Sequence, residues 1–185
     1  MIRWVIGCTV TRTVMRLTSR SFAYRMLLIT LAATVLTTCS QRIELKPAPS
    51  VTFVTLKGEK IDSAALRGKV VLVNFWATDC PICLKEMPQL VATHQQFQAR
   101  GFETVAVAMW YDPPVRVVQY VEKTALPFKV AFDPVGEHAR AFGEITLTPT
   151  TFVIDKRGNI VSRIVGEPDF AKLRAMIEAK LAEPI

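Results

Sequence analysis

Residues 72–88 read LVNFWATDCPICLKEMP, an apolar run that leads into a Cys-x-x-Cys pair. The run belongs to segment 69–77, whose unbroken apolar and β-branched residues predict a strand buried on both faces of a sheet. A helix is predicted from about Pro81 to Ala99, because apolar residues recur along one side of it. Those apolar positions are Leu84, Met87, Val91 and Phe97. Cys80 and Cys83 are therefore predicted where a buried strand gives way to a helix.

This position predicts redox chemistry for the cysteine pair. Unpaired N–H groups and the macrodipole at a helix N-terminus favour a thiolate on Cys80, which would be the attacking sulfur. Cys83, one helical turn further on, would be the resolving thiol that attacks the mixed disulfide and releases the client. A permanent structural disulfide is the weaker interpretation, since closing so short a loop contributes little chain entropy.

Metal binding is the other common use of a Cys-x-x-Cys pair. A structural zinc ion normally needs four ligands. The remaining cysteines, Cys8 and Cys39, lie in the N-terminal segment, and His94 and His138 are interpreted as structural or surface residues. The sequence therefore predicts no metal and no cofactor other than the redox-active disulfide.

The remainder of the chain predicts one α/β domain over residues 51–185, with a mixed sheet flanked by helices. The predicted strands and hairpins are a hairpin over 51–62, strands over 103–110 and 128–132, and a hairpin over 151–165. A second helix is predicted over 112–124, with Asp112 as its cap and with Val117, Val118 and Val121 facing inward. A short helix is predicted over 135–142, and a final helix is predicted to be capped by Asp169.

The composition is that of an ordinary globular chain of 185 residues, 50% hydrophobic and 21% charged. With eight Gly, 11 Pro and four Cys, it is neither collagen-like nor a disulfide-dense miniprotein. The net charge of +7 is uneven, because five of the 23 Lys and Arg residues lie within residues 1–39 and all 16 acidic residues follow. The rest of the chain has 18 basic against 16 acidic side chains, so no nucleic-acid partner is predicted.

Residues 1–39 are predicted to be a signal peptide or an N-terminal membrane anchor. Met26–Thr38 is uncharged and mostly apolar, too short for a bilayer span and preceded by a basic region. Met15 is a candidate for the true start. Cys39 follows Leu-Thr-Thr in a partial match to a lipoprotein cleavage box. Three alternatives are therefore open: lipidation of Cys39, cleavage of the signal peptide without lipidation, and an uncut N-terminal anchor. All three place the folded part outside the cytoplasm, after an extended tether over residues 40–50.

Two separate motifs carry a family resemblance. The first is the stretch 72–88, and the second is TPTTFVIDKRG over residues 148–158. Together they resemble the TlpA/ResA group of thioredoxin-like thiol-disulfide oxidoreductases, and the likeness spans residues 47–185. It implies a thioredoxin-like fold with an N-terminal β-hairpin and an extra central strand and helix. It also implies an exported protein that reduces disulfides in other exported proteins, such as cytochrome c precursors or copper-site assembly proteins.

The resemblance assigns further site residues. Pro149 is expected to follow a cis peptide bond beside the cysteines, which leaves the Thr148 backbone available to an extended client strand. Glu86 matches a family glutamate that can exchange a proton with Cys83, and a solvated helix glutamate is the alternative. Trp76 is expected to shield the site and contact clients, with a plain core role as the alternative.

Two positions depart from the commonest family pattern. Asp79 stands where Trp is usual, and Ile82 stands where Pro is usual before the second cysteine. A carboxylate beside Cys80 opposes thiolate formation and favours a more reducing pair, although Asp79 is also a candidate helix cap. The sequence thus favours a reductase, and the family resemblance implies a membrane-bound thiol reductant as its electron donor.

Two other functions remain open from the sequence. A peroxiredoxin-like peroxide reductase shares the fold but needs a Thr and an Arg beside its cysteine, and Arg67 and Arg100 are not obviously placed for this role. A non-enzymatic copper-binding chaperone would use Cys80 and Cys83 with an added His ligand.

Overall fold

The computed structural model describes residues 46–185. The strands are β1 (Lys46–Pro47), β2 (Thr52–Val54), β3 (Lys60–Asp62), β4 (Val70–Trp76), β5 (Phe102–Ala108), β6 (Lys129–Phe132), β7 (Thr150–Ile154) and β8 (Asn159–Val165). The helices are α1 (Pro81–Phe97), α2 (Pro114–Thr124), α3 (Glu137–Ala141) and α4 (Phe170–Ala182). The predicted signal segment, Cys39 and the first part of the tether lie outside the described residues.

Six strands form one mixed sheet in the order β1-β8-β7-β4-β5-β6. Strands β4, β5 and β6 run parallel, whereas β7 lies antiparallel to both β4 and β8. Strands β2 and β3 form a separate hairpin. The predicted mixed α/β sheet with an N-terminal hairpin is confirmed.

Strand β4 separates two halves of the core, because all seven of its residues are buried. On one face, Leu72 and Trp76 pack with residues of α1 and α4. On the other, Val73 and Phe75 pack with residues of the β2–β3 hairpin and of α3. Burial on both faces is the arrangement that the apolar run 69–77 predicts.

The end of the predicted tether is part of the sheet. Lys46 and Pro47 form β1, which pairs antiparallel with Ile160 and Asn159 of β8. The Ala48 N–H then donates a hydrogen bond to a carbonyl of the β7–β8 turn at 2.9 Å. Residues 46 and 47 of the predicted extended tether thus form a strand, because the extended chain pairs with the open edge of β8.

Helix α2 differs from its prediction at its start. Pro113 occupies the capping position, so the prediction that Asp112 caps this helix is wrong. Of the three valines expected to face inward, Val117 is buried, Val121 is half-buried and Val118 is exposed. Positions 117 and 121 share one face of the helix because they are four residues apart, whereas 118 is turned away from that face.

Helix α4 begins as predicted. The Asp169 carboxylate accepts hydrogen bonds from the N–H groups of Ala171 and Lys172, both at 3.1 Å. These bonds satisfy two of the N–H groups that a helix start leaves without a partner inside the helix. Leu173 and Ile177 of this helix are buried against the face of the sheet that also carries α1.

Candidate active site

Cys80 and Cys83 form a disulfide at the start of α1, and three residues separate the end of β4 from Cys80. Cys80 is the N-cap of this helix, and its Sγ accepts a hydrogen bond from the Cys83 N–H at 3.2 Å. Cys80 is partly exposed, whereas Cys83 is fully buried. One sulfur is therefore within reach of another protein, and the other is shielded by the helix.

Asp112, which the sequence predicts to be a helix cap, instead holds the loop before Cys80. The buried Asp112 carboxylate accepts hydrogen bonds from the Thr78 N–H and the Thr78 hydroxyl, both at 2.6 Å. Asp79 is exposed, and the helix cap that it was a candidate for is supplied by Cys80 itself. No local pattern indicates the contact between Asp112 and Thr78, since 34 residues separate them.

The second motif meets the first at this loop. The Thr148–Pro149 peptide bond is cis, as expected. The carbonyl oxygen of Thr148 lies 3.6 Å from Cys80 Sγ, and Pro149 is buried behind it. The Pro149 carbonyl accepts a hydrogen bond from the Gly166 N–H at 2.8 Å, which ties this loop to the end of β8. The two motifs are thus brought together at the disulfide.

Glu86 is completely buried on α1, so the alternative of a solvated helix glutamate is wrong. Burial raises the pKa of its carboxyl to about 7, with the Glu167 carboxylate contributing in the same direction. A hydrogen bond from Asn74 Nδ2 to Glu86 Oε1, at 2.9 Å, acts against this rise in pKa. Near neutral pH this carboxyl can both accept and donate a proton.

Asn74 is a site residue that the sequence analysis did not single out. It lies in the middle of β4, and its amide also donates a hydrogen bond to Thr151 Oγ1 at 3.0 Å. Both Asn74 and Thr151 are completely or almost completely buried. The available signal was a single amide within the apolar run VVLVNFW, because a buried polar group in a strand needs a partner.

Trp76 is a core residue and not a client-binding one. Its side chain is 0% exposed, and its ring packs against that of Tyr120 with the centroids 5.3 Å apart. The expectation that it contacts clients is therefore wrong for this structure. Trp76 is the last residue of β4, and residues of α1 and α2 cover its side chain.

Four large apolar side chains are exposed on segments that adjoin Cys80 or Thr148. They are Ile82, Trp110, Tyr111 and Leu147. The Tyr111 and Thr148 hydroxyl oxygens are 3.3 Å apart, within hydrogen-bonding distance. Met109, which directly precedes Trp110, is buried in the core. We call the four exposed residues the apolar rim.

The arginines considered for a peroxide-reducing site lie elsewhere. Arg100 forms an ion pair with Glu178 of α4 at 2.7 Å, just before β5 begins and thus at the opposite end of the sheet from Cys80. Arg67 lies against Gly158 in the β7–β8 turn. Within residues 46–185, no three His, Cys, Asp or Glu side chains are grouped so that they could hold a metal ion.

Comparison with known proteins identifies the family. A model of the Redoxin family matches residues 44–177. The chain belongs to the Redoxin family. The thiol-disulfide oxidoreductase ResA of Bacillus thuringiensis subsp. konkukian is 36% identical over 131 residues, which are 70% of this chain and 75% of that protein. ResA of Geobacillus thermodenitrificans is 34% identical over 119 residues, 64% of this chain and 67% of that protein.

A solved structure agrees with this assignment. The thiol:disulfide interchange protein of the thioredoxin family from Chlorobium tepidum superposes with a TM-score of 0.69 and is 35% identical. The match covers 75% of this chain and 98% of that one. This Redoxin-family chain therefore has a thioredoxin-like fold and is a thiol-disulfide oxidoreductase, and its resemblance to the TlpA/ResA group is confirmed.

Proposed function

We propose that this oxidoreductase reduces disulfides in client proteins outside the cytoplasm, with Cys80 as the attacking thiol and Cys83 as the resolving thiol. The observation that carries the proposal is the unequal exposure of the two sulfurs at the N-terminus of α1. The Cys83 N–H that points at Cys80 Sγ, together with the helix dipole, favours a thiolate at the exposed position.

The reaction has two exchange steps. The Cys80 thiolate attacks a client disulfide, so that a Cys80–client disulfide forms and the first client sulfur leaves as a thiolate. The Cys83 thiolate then attacks Cys80 Sγ, which forms the Cys80–Cys83 disulfide and releases the second client thiolate. Two electrons have passed from the protein to the client, and both client thiolates take protons from water.

Glu86 is proposed to accept the proton of Cys83 before the second step. The two residues are three apart on α1 and therefore neighbours on one helix face. Both are fully buried, so water is poorly placed to take this proton. A carboxyl with a pKa of about 7 can accept it and later return it to solvent.

The client is proposed to lie as an extended segment along Thr148 and Pro149. The short distance between the Thr148 carbonyl and Cys80 Sγ supports this proposal, because a segment bound to the Thr148 backbone would lie next to the reacting sulfur. The apolar rim includes Tyr111 beside Thr148, and exposed apolar side chains near a reactive centre suit a client segment with apolar residues next to its cysteine. We infer that cytochrome c precursors or copper-site assembly proteins are suitable clients.

The proposal places the enzyme on the outer side of the cytoplasmic membrane. The basic and apolar pattern of residues 1–39 supports export, and Cys39 is the proposed site of a lipid anchor. A membrane-bound thiol reductant would return electrons to the Cys80–Cys83 disulfide. The structure contains no helix within residues 46–185 that meets the length and hydropathy needed to span a membrane.

The roles of the two cysteines are tested by single substitutions. In the reduced protein, Cys80→Ser should abolish reduction of a disulfide-bonded peptide, because the exposed attacking thiol is lost and Cys83 is buried. Cys83→Ser should instead accumulate the Cys80–peptide mixed disulfide, which mass spectrometry detects. Wild-type turnover in either variant would overturn the mechanism.

The direction of electron flow is tested by the reduction potential of the Cys80–Cys83 pair. A value at or below about −270 mV, measured against glutathione or dithiothreitol buffers, would support a reductase. A value near −120 mV is typical of a strong oxidant and would contradict the proposal.

A further inference from the structure

A buried hydrogen-bond network joins β4, β7 and α1 beneath the disulfide. Asn74 on β4 is the cross-strand partner of Thr151 on β7. One amide group, Asn74 Nδ2, donates to Thr151 Oγ1 at 3.0 Å and to Glu86 Oε1 at 2.9 Å. With both donations made, the amide is fixed in its orientation between a strand and a helix.

We propose that Asn74 is a positioning residue for proton transfer at Cys83, in that it holds the Glu86 carboxyl by Oε1 and leaves Oε2 as the oxygen that gains and loses the proton. The inference rests on the proposed role of Glu86 and adds the residue that controls it.

The hydrogen bond determines which carboxyl oxygen is used. An amide N–H only donates, so Oε1 must act as an acceptor whether or not the carboxyl is ionised. The proton of the neutral acid therefore resides on Oε2, which is buried and has no hydrogen-bond partner among residues 46–185. Without Asn74, either oxygen would carry the proton, and the carboxyl would be free to turn.

The same bond keeps the ionised form of Glu86 accessible. Burial in an apolar core disfavours the carboxylate, and a donated N–H favours it. The Glu167 carboxylate disfavours ionisation of Glu86 further, and Glu167 itself pairs with Lys85 at 2.8 Å. Strands β4 and β7 contribute the neutral Asn74 and Thr151, so the amide is the stabilising contact for the carboxylate.

Resolution by Cys83 couples a proton transfer to the exchange of one disulfide bond for another. The S–H bond of Cys83 breaks, and its proton forms an O–H bond with Oε2 of the Glu86 carboxylate. The electron pair left on Cys83 Sγ forms the bond to Cys80 Sγ as the Cys80–client S–S bond breaks. The client sulfur leaves with the electrons of that bond and is protonated by water.

The first measurement uses the wild-type protein. In its oxidised form, the side-chain NH₂ resonances of Asn74 should shift with pH, with a midpoint at about 7, because they report the ionisation of the carboxyl they bind. Asn74 resonances that do not move between pH 5 and pH 9 would overturn the proposal without any variant.

The second measurement compares variants. Asn74→Leu removes the donor at similar volume and should raise the midpoint of the Glu86 carboxyl carbon by about one pH unit. The rate at which Cys83 resolves a Cys80–peptide disulfide should then fall about fivefold at pH 7 and recover at higher pH. Thr151→Val is the matched control, since it breaks the other bond of the same amide and should leave the Glu86 midpoint within a few tenths of a unit.

A third comparison separates positioning from a merely structural role. Glu86→Gln should slow resolution and remove its dependence on pH near 7, and adding Asn74→Leu should then have no further effect on the rate. The role of Asn74 alone would be overturned if Asn74→Leu slowed resolution equally in the wild-type and the Glu86→Gln proteins. It would also be overturned if Asn74→Leu left the titration midpoint of Glu86 unchanged. A wild-type pH profile in Glu86→Gln would overturn the proposed role of Glu86 as well. If Asn74→Leu does not fold, the smaller Asn74→Ala is measured in its place, with the same expected shift.

Discussion

Glu86 shows how one buried side chain links catalysis to stability. Its carboxyl has a pKa of about 7 in the folded protein, whereas the ordinary value is 4.5. Between these two values the folded state binds more protons than the unfolded state, so the free energy of unfolding falls as pH rises. Above pH 7 the ionised Glu86 carboxylate therefore lowers the stability of the fold, and this same carboxylate is the form that the proposed mechanism needs to accept the Cys83 proton.

Replacing Glu86 should reveal this cost. Relative to wild type, Glu86→Gln should change the free energy of unfolding of the oxidised protein more favourably at pH 8 than at pH 4, by about 3 kcal/mol, because the amide never ionises. Urea denaturation at the two pH values measures the difference. Glu122→Gln, an exposed substitution of the same kind, should show no such pH dependence. Equal behaviour of the two variants would contradict the burial argument.

At the scale of elements, the loop between β4 and α1 depends on a contact from the segment before α2. Asp112 binds the backbone and the hydroxyl of Thr78, two residues before Cys80. The bonds hold the loop that presents the attacking sulfur, although Asp112 lies between β5 and α2. The position of Cys80 is thus set jointly by two connections at the same end of the sheet.

Removing this contact should affect both stability and rate. Asp112→Ala leaves two donors of Thr78 without their acceptor, and we expect a loss of about 1–3 kcal/mol in the free energy of unfolding. Client reduction should slow by about tenfold, since small displacements of a reacting group are costly. Thr78→Val loses only the hydroxyl bond and should give a smaller change in both measurements. If Asp112→Ala kept the stability and the reduction rate of the wild-type protein, the Asp112 contact would not be needed to hold the loop between β4 and α1.

The same elements show what a sequence can predict. Strand β4, helix α1 and the Asp169 cap follow from neighbouring residues, and their predictions are confirmed. The Asp112 prediction is wrong because a local capping signal competed with a partner far away in the chain. The pairing of β1 with β8 was missed for the same reason, since an extended segment carries no signal of which strand edge it will meet.

At the scale of the whole molecule, a buried histidine joins the N-terminal hairpin to the α3 region. His138 Nδ1 lies 3.1 Å from the Asp133 carboxylate, and Nε2 lies 3.1 Å from the Thr52 carbonyl oxygen. Both partners are acceptors, so the ring makes both bonds as an imidazolium. The hydrogen bond with Asp133 raises the pKa of His138. Although burial opposes its ionisation, the pKa of Asp133 is lowered by its bond to His138.

This pair should give the fold a defined pH window. A raised histidine pKa contributes stability that is full below about pH 6.5 and is lost as pH rises through the folded value. His138→Gln should therefore cost more at pH 6, by about 1–3 kcal/mol, than at pH 9. His94→Gln is the control, because burial lowers the pKa of His94 and gives the opposite dependence. If the free energies of unfolding of the two variants changed with pH in the same way, the raised pKa of His138 would be contradicted.

The two tryptophans of the described chain stand in opposite environments, and this gives the molecule a built-in optical probe. Trp76 is sealed in the core, whereas Trp110 is 43% exposed on the apolar rim and touches Tyr111. Indole emission moves to shorter wavelength when water is excluded from the ring. Docking of a client should therefore shift the fluorescence of Trp110 while that of Trp76 stays constant, so that binding can be followed by light before any disulfide has exchanged.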